Sequence, residues 1–441
     1  MGKKHRRKPE QGRAAVLVEG VRTPFQRTNT GFGALMAHEL ARSAIAGLLA
    51  KTGLAPRHVD LVVMGTVVQD PRTSNLARES MLGAGLPVTT PAFTTTLACI
   101  SANVAATTAV DQIELGQVDC SVVGGAESFS DPPIRLSKNL RQALVKSQKV
   151  KSPKDWVPLL ASLSPDDLIP DVPSAAEFST GLTMGESCER LAKRMGVTRK
   201  ESDAFAVRSH VLAARAWQEQ RYADDVLALP TAPDFALIAN DNGPRGDSTL
   251  QSVEKLKPAF DKEHGLITAA SSSFLTDGAA AVLLMAEERA EALGFAARAF
   301  VRDYVYAAGD PLEELLMGPA LTVPQLLQRN GLTVRDIAVF EIHEAFAAQV
   351  VANLKALADP QFVRTRVGID GGDFEIPLDK INLWGGSLSL GHPFGATGGR
   401  LLATAARRLM VSGGRYAVVT GCAAGGEGSA ILLENASPAG A

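Results

Sequence analysis

The stretch "LLAKTGLAPRHVDLVVMG" (48–65) has a counterpart later in the chain, "LLQRNGLTVRDIAVFEIH" (326–343). Both read LL-x-x-x-G-L-x-x-R at equal spacing, and an apolar run follows in each. The pattern predicts a helix that ends at Gly53 or Gly331, where the backbone needs a positive φ. The run that follows is typical of a strand buried on both faces. The chain therefore repeats one unit, and such a repeat says more about the fold than any single motif.

A second pair of similar segments lies downstream of the first pair. "VDCSVVGGAES" (118–128) and "YAVVTGCAAGGEGSA" (416–430) are apolar runs that end in glycines, as strands do. Cys99 lies upstream of one and His392 upstream of the other, and each precedes a helix-like segment of small residues. Cys99 and His392 are thus predicted to occupy equivalent strand-to-helix turns. The irregular stretch 129–273 between the copies indicates an inserted domain.

The composition of the 441-residue chain favours an α/β protein of two or three domains, with 46% hydrophobic residues, 5% aromatic residues and 40 glycines. A net charge of −2 excludes nucleic-acid binding through a general positive field. The sequence has no run of eighteen apolar residues, so no transmembrane segment is expected. Residues 1–13 are basic without a following apolar region, which indicates a disordered tail rather than a secretory signal.

The cysteines point to a reducing compartment, because none of the four belongs to a C-x-x-C pair that would indicate disulfides or zinc. We expect a cytoplasmic protein, with the mitochondrial matrix as the weaker alternative. Cys99 taken alone is a small buried side chain or a nucleophile. Its predicted place at a helix start favours the nucleophile, because the free N–H groups there would lower the pKa of the thiol and bind an oxyanion.

His392, His343 and Cys422 are further candidate catalytic residues. His392 lies between Gly391 and Pro393 in a tight turn, where a histidine is a poor space-filler. His343 ends an apolar strand, but Ala347 stands where the zinc motif H-E-x-x-H needs its second histidine.

Cys422 follows a strand and precedes a glycine loop that fails the dinucleotide pattern at Ile431. No metal and no nucleotide cofactor is therefore expected. A cysteine with a histidine within reach supplies a nucleophile and a base, and a second cysteine can move a carbon-bound proton.

These motifs, in this order along nearly the whole chain, resemble the thiolases, enzymes that cleave 3-ketoacyl-CoA to acetyl-CoA and a shortened acyl-CoA or run the reaction backwards. The matching segments are "GVRTPF" (20–25), "GGAES" (124–128), "MGESCERLAKRMGVTRKESDAFAVRSH" (184–210), "KLKPAF" (255–260), "TDGAAAV" (276–282), "HEAFA" (343–347), "GHPFGATG" (391–398) and "CAAGGEG" (422–428). "HEAFAAQ" and "NLWGGSLSLGHPFGATG" resemble most the β-subunits of fatty-acid oxidation multienzyme complexes.

The resemblance implies an α/β fold of duplicated βα halves in a layered αβαβα arrangement. The N-terminal half would be 14–128 with 274–298, the C-terminal half 299–441, and 129–273 a loop domain that binds CoA.

The resemblance also implies roles. Cys99 matches the nucleophile that takes the acyl group, and His392 matches its base and a donor to the substrate thioester oxygen. Cys422 matches the acid/base at the acetyl carbon. His343 matches the position that holds an oxyanion-hole water, usually through Asn. The second oxyanion hole matches the backbone N–H groups of Cys99 and Ala424.

Ser273 matches a serine near the CoA pantetheine, whereas Phe274 replaces a Gly or Pro and Ser271 replaces an Asn. CoA is a substrate and no cofactor is implied. The expected partners are a second copy of the chain, in a homodimer or larger assembly, and an enoyl-CoA hydratase/3-hydroxyacyl-CoA dehydrogenase subunit. The basic stretch 135–154, with Leu136, Leu140 and Leu144 on one helix face, is either a docked surface helix or a docking surface.

Three alternatives to a thiolase that cleaves 3-ketoacyl-CoA in fatty-acid oxidation stay open at this point. The first is an acetyl-CoA acetyltransferase that makes acetoacetyl-CoA. The second is a ketoacyl synthase, an enzyme that typically lacks a cysteine at the position of Cys422. The third is an inactive acyl-CoA binding protein, against which the presence of Cys99, His392 and Cys422 argues.

Overall fold

The computed structural model describes residues 13–171 and 176–438. Within them the strands are β1 (Ala15–Arg22), β2 (Gln26–Arg27), β3 (Leu61–Gly65), β4 (Ala92–Thr95), β5 (Cys120–Glu127), β6 (Leu229–Thr231), β7 (Ala236–Ile238), β8 (Thr276–Ala286), β9 (Ala299–Ala308), β10 (Ile337–Ile342), β11 (Tyr416–Ala423) and β12 (Glu427–Asn435).

The helices of the described residues are α1 (Ala37–Thr52), α2 (Leu76–Gly83), α3 (Ser101–Glu114), α4 (Lys138–Ser147), α5 (Pro153–Ala161), α6 (Met184–Arg194), α7 (Arg199–Gln218), α8 (Leu250–Val253), α9 (Glu287–Ala292), α10 (Gly318–Asn330), α11 (Ala347–Ala358), α12 (Pro360–Phe362), α13 (Ser387–Leu390) and α14 (Thr397–Ser412). Each is too short or too polar to cross a lipid bilayer.

The order of the strands shows the repeat directly. One half runs β4-β3-β5-β8-β1 and the other β10-β11-β12-β9, and the two meet where β1 pairs with β9. In each half the parallel pair, β3 with β5 or β10 with β11, is followed by an antiparallel partner. Even the place of β4 has a counterpart, because Ile381 forms a parallel bridge to Phe340 of β10.

The repeated segments fold as their sequence predicts. Gly53 ends α1 with φ 68° and Gly331 ends α10 with φ 66°. A single 3₁₀ turn follows each glycine, and β3 or β10 comes next as an almost wholly buried strand. The shared glycine therefore sets the same reversal of direction in both halves.

The layers follow from which helices cover which sheet face. α3 and α14 contact each other between the halves, and their side chains share one hydrophobic cluster with Val63 of β3 and Val339 of β10. α1 and α2 cover the outer face of the first half, and α10 and α11 that of the second. This confirms the predicted αβαβα arrangement. The middle layer is tight: a Cβ on Gly398 of α14 would stand 1.9 Å from Asn103 Oδ1 of α3.

The stretch 129–273 contains α4 to α8 with the β6–β7 hairpin, and its helices α6 and α7 pack on α11. The division into 14–128 with 274–298, 129–273 and 299–441 stays a prediction. The predicted tail, 1–13, lies outside the described residues except for Arg13, which forms ion pairs with Asp119 and Glu288.

The leucine stripe of 135–154 does not dock as a surface helix would. Leu136 and Leu144 are 43% and 46% exposed, and the buried residue of α4 is Ala143. Leu140, between them, is partly buried, and α4 contacts α5 and the 3₁₀ turn Pro165–Leu168.

Candidate active site

Cys99 lies in the turn between β4 and α3, as the repeat predicts. The turn is sharp, because Ala98 takes a φ of 44°, which is unusual for a residue with a side chain. Ser101 stabilises it: its Oγ accepts a hydrogen bond from Leu97 N at 2.8 Å and donates one to Ala98 O at 2.7 Å. As a whole residue Cys99 keeps some exposed surface, whereas Cys120 and Cys188 are fully buried.

His392 lies in the equivalent turn before α14. Gly391 precedes it with a φ of 102°, and a Cβ there would stand 2.3 Å from Thr276 Cγ2. His392 N donates to Phe274 O at 3.2 Å, which ties the turn to the segment before β8. Phe274 therefore holds the turn through its carbonyl, while its ring packs under the guanidinium of Arg27.

The fold brings three reactive side chains together. Cys99 Sγ and one ring nitrogen each of His343 and His392 lie within 4.8 Å of one another. The centroids of the two imidazole rings are 4.1 Å apart. Cys422, in β11, lines a cavity that Cys99 and His392 also line. Its own burial and the nearby Cys99 thiol raise the pKa of the Cys422 thiol.

The hydrogen bonds of His392 define its tautomer. Its Nδ1 lies 2.6 Å from Thr397 Oγ1, and the hydroxyl of Thr397 donates to Pro393 O at 3.1 Å. With the single hydroxyl hydrogen directed at Pro393 O, Nδ1 of His392 is the donor of the first bond. Nε2 then has a free lone pair, and among the described residues this buried atom has no hydrogen-bond partner. The arrangement suits a base beside Cys99.

Burial keeps the resting site uncharged. It raises the pKa of Cys99 to about 12, although the backbone N–H groups of Ala424 and of Cys99 itself act in the opposite direction. It lowers the pKa of His343 to about 3 and holds that of His392 well below its ordinary value, with the charge of Arg400 adding to both effects. The prediction that the helix start lowers the Cys99 pKa is therefore wrong, because desolvation of the thiolate outweighs the N–H groups.

The cavity beside these residues has a volume of about 390 Å³ and is mostly apolar. Ser273, Cys422 and Ala424 line it, whereas Phe274 does not. Sequence reasoning missed its apolar wall, formed by Met184, Phe260, Leu316 and Phe346. Met184, Phe260 and Phe346 lie within the motifs "MGESCE", "KLKPAF" and "HEAFA", so the thiolase resemblance could have pointed to them. Leu316 lies in no such motif.

Cys99, His343 and His392 are also the residue types that bind zinc. Zinc requires the cysteine as thiolate, and burial works against that form here. The prediction of a site without metal stays a prediction.

Family models described as thiolase N-terminal domain and thiolase C-terminal domain match residues 15–288 and 295–435. The mitochondrial trifunctional enzyme subunit beta of Rattus norvegicus is 48% identical over 419 residues, 95% of this chain and 88% of its own. The 3-ketoacyl-CoA thiolase of Vibrio cholerae is 42% identical over 434 residues, 98% of this chain and 100% of its own.

A crystal structure of the Bacillus anthracis acetyl-CoA acetyltransferase is similar with a TM-score of 0.81 and 28% identity, covering 96% of this chain and 99% of that one. The chain belongs to the thiolase family. Thiolases are acyltransferases, so the expected class of enzyme is confirmed.

Proposed function

We propose that this chain cleaves 3-ketoacyl-CoA with CoA through an acyl thioester on Cys99. The observation that carries the proposal is that Cys99, His392 and Cys422 line one apolar cavity, with a ring nitrogen of His343 within 4.8 Å of Cys99 Sγ and of a ring nitrogen of His392. The overall activity agrees with the names of relatives that align along almost the whole chain, among them a 3-ketoacyl-CoA thiolase and a trifunctional enzyme subunit beta.

In the first half-reaction, Sγ of Cys99 attacks the 3-keto carbon while Nε2 of His392 takes the thiol proton. The carbonyl becomes an alkoxide, which the backbone N–H groups of Cys99 and Ala424 stabilise. Both N–H groups already approach the thiol of Cys99. The bond between C2 and C3 then breaks, and the electron pair passes to the acetyl-CoA enolate. His343 and the protonated His392 donate to its oxygen, and the Cys422 thiol protonates its carbon.

In the second half-reaction, a CoA thiol gives its proton to the Cys422 thiolate and attacks the acyl thioester. Cys99 leaves as thiolate and recovers its proton from His392, so the enzyme returns to its starting state. A neutral thiol and a neutral imidazole at rest fit this cycle, because the proton moves only as negative charge reaches the preorganised donors.

The cavity wall supports an acyl chain as the group held beyond the ketone. Met184, Phe260, Leu316 and Phe346 offer apolar surface to such a chain. The same backbone serves an acetyl-CoA acetyltransferase, so synthesis of acetoacetyl-CoA is the second candidate. A ketoacyl synthase is disfavoured, because the thiol of Cys422 lines the cavity beside that of Cys99.

For the assembly, we propose a homodimer that also binds a hydratase/dehydrogenase subunit. The support is the resemblance of "HEAFAAQ" to complex-forming thiolases and the printed name of the rat relative, a subunit of a trifunctional enzyme. For the location, we propose the cytoplasm, and the mitochondrial matrix is the alternative that the same relative favours. CoA is proposed as a substrate, without a further cofactor.

The test is the rate of CoA-dependent cleavage across 3-ketoacyl-CoA chain lengths, combined with brief iodoacetamide treatment and mass spectrometry. We expect cleavage of long and medium chains, and a label on Cys99 that substrate prevents, because the other three thiols are buried. Labelling first at Cys120 or Cys188, or activity restricted to acetoacetyl-CoA, would contradict the proposal. Co-purification from the native host tests the partner subunit.

A further inference from the structure

Two buried residues behind His343 connect its ring to a permanent positive charge. Ser387 Oγ, fully buried, lies 3.0 Å from His343 Nδ1. Arg400, also buried, donates to that same Oγ from its Nη2 at 3.1 Å. The three side chains come from the end of β10, from α13 and from α14, so the connection exists only in the folded chain.

One arrangement of hydrogens gives the Ser387 hydroxyl hydrogen an acceptor. The guanidinium of Arg400 is always protonated and only donates, so it occupies a lone pair of Ser387 Oγ. The hydroxyl of Ser387 has one hydrogen, and the acceptor that the structure places beside it is His343 Nδ1. If Nδ1 donated instead, the buried hydroxyl hydrogen would lose this acceptor, so the favoured arrangement has a bare Nδ1 and the imidazole hydrogen on Nε2.

We infer that Arg400 and Ser387 act as positioning residues that lock His343 in the Nε2–H tautomer and so hold a hydrogen-bond donor in the cluster that His343 forms with Cys99 and His392. Among the described residues, His343 Nε2 is buried and has no partner. A buried donor without a partner is unfavourable in the resting protein and is satisfied when an oxygen of a ligand arrives.

The two neighbouring histidines therefore differ in function, although their ring centroids are only 4.1 Å apart. His392 donates its Nδ1–H to Thr397, so its Nε2 has a free lone pair. His343 accepts from Ser387 at Nδ1, so its Nε2 has the hydrogen. One ring accepts a proton and the other holds an oxygen. Arg400 also contributes through its charge, because it helps to lower the pKa of His343 to about 3 and so keeps the ring neutral.

The surroundings of Ser387 hold this arrangement rigid. The Glu344 carboxylate accepts from Leu388 N at 3.2 Å and from Asn382 Nδ2 at 2.6 Å, which ties α13 to the end of β10. Gly386 makes the approach possible, because a Cβ there would stand 2.1 Å from Glu344 Cδ. Ser387 therefore has little freedom to leave His343.

The role given to the Nε2–H rests on the proposed function, but the tautomer itself is measurable without substrate. The experiment uses full-length protein with ¹⁵N-labelled histidine, and the signals of His343 are assigned by their loss in His343→Asn. The variants are Ser387→Ala and Arg400→Met, with Ser387→Thr as the conservative rescue. Ser389→Ala is the matched control, since it removes another fully buried hydroxyl of α13 that does not contact His343.

We expect wild type, Ser387→Thr and Ser389→Ala to show a protonated Nε2 and a bare Nδ1. Ser387→Ala and Arg400→Met should show both tautomers, and cleavage should slow by about 10- to 100-fold through kcat with little change in KM, as for loss of an oxyanion donor. If Arg400→Met does not fold, the comparison of Ser387→Ala with Ser387→Thr decides alone.

A wild-type Nδ1–H, or an unchanged tautomer in Ser387→Ala, would overturn the inference while leaving the proposed activity intact. A wild type that fails to cleave 3-ketoacyl-CoA but shows the tautomer lock refutes the proposed function and supports the hydrogen-bond assignment.

Discussion

The two copies of the repeat share a backbone but differ in what stands at their strand ends. Gly65 ends the first copy at the position that His343 occupies in the second. Ala126 of β5 likewise corresponds to Cys422 of β11. Of the four reactive side chains, the first half therefore contributes Cys99, and the second half contributes the other three.

The difference has a steric cause. A Cβ on Gly65 would stand 2.7 Å from Ser101 Cβ and 2.9 Å from Ala102 N, so α3 begins directly against the end of β3. That contact places the Cys99 turn at the cavity and leaves no room for a side chain on the strand. In the second half, the imidazole of His343 fills the equivalent space and is held from behind by Ser387. Duplication preserved the backbone, and the distance between helix and strand decided which half supplies which chemistry.

The largest effect expected from breaking this asymmetry is at Cys99. Cys99→Ser should lower cleavage by about 10⁴-fold or more, because the poorer nucleophile faces the same weak base. Steady-state rates and mass spectrometry for the acyl-enzyme are the measurements. Cys120→Ser, at a thiol buried in the same half, should retain activity, and equal losses in both variants would refute the role of Cys99.

Cys422 should come next. Cys422→Ser keeps the shape but raises the pKa of the group, so cleavage should fall by roughly 10²- to 10⁴-fold. Acylation of Cys99 by a simple acyl-CoA involves no proton transfer at carbon and should fall less. Cys188→Ser provides the control at a neighbouring buried thiol. If both rates fell equally little, Cys422 would be a packing residue.

The pH dependence of alkylation sharpens the account of the resting state. With the pKa of Cys99 raised to about 12, the thiolate fraction should grow about tenfold per pH unit below that value. Inactivation by iodoacetamide should therefore accelerate about 100-fold from pH 7 to pH 9, without levelling off. A plateau below pH 8 would reveal a preformed thiolate–imidazolium pair and would contradict the neutral resting site.

Gly65→Ala tests the steric difference between the halves. The added methyl group has no room beside Ser101, so the free energy of unfolding should fall by about 1–3 kcal/mol. The matched change is Gly421→Ala, where the methyl would meet His343 Cβ at 3.1 Å and Ile100 Cγ2 at 3.2 Å and should destabilise less. Thermal unfolding of both variants is the measurement, and a reversed order would refute the close approach of α3.

The smallest effects are expected where the halves agree. Gly53→Ala and Gly331→Ala add a methyl group in open space but at positive φ, so each should lower the free energy of unfolding by about 1 kcal/mol. Denaturant unfolding should show equal losses. Effects that differ by more than about 1 kcal/mol would mean that the two caps are not equivalent.

Much of the fold could be predicted because the repeat is visible in short stretches of sequence. Gly53 and Gly331 end their helices because glycine readily adopts the positive φ that a helix end needs. The β-branched runs after them form buried strands. The turns of Cys99 and His392 were predicted for the same reason. The outward leucine stripe of α4 was not, because periodicity shows that a helix has an apolar face but not what covers it.

Local sequence was enough to identify the duplicated α/β halves, the thiolase resemblance and the residues that could carry the chemistry, since each depends on neighbours along the chain. The tertiary structure alone decided their state. Burial, which no local pattern reports, makes Cys99 a neutral thiol, and the hydrogen on His343 depends on Ser387 and Arg400 from two other helices. Desolvation and hydrogen-bond direction are properties of surroundings that distant segments assemble, so they emerge only when the chain is folded.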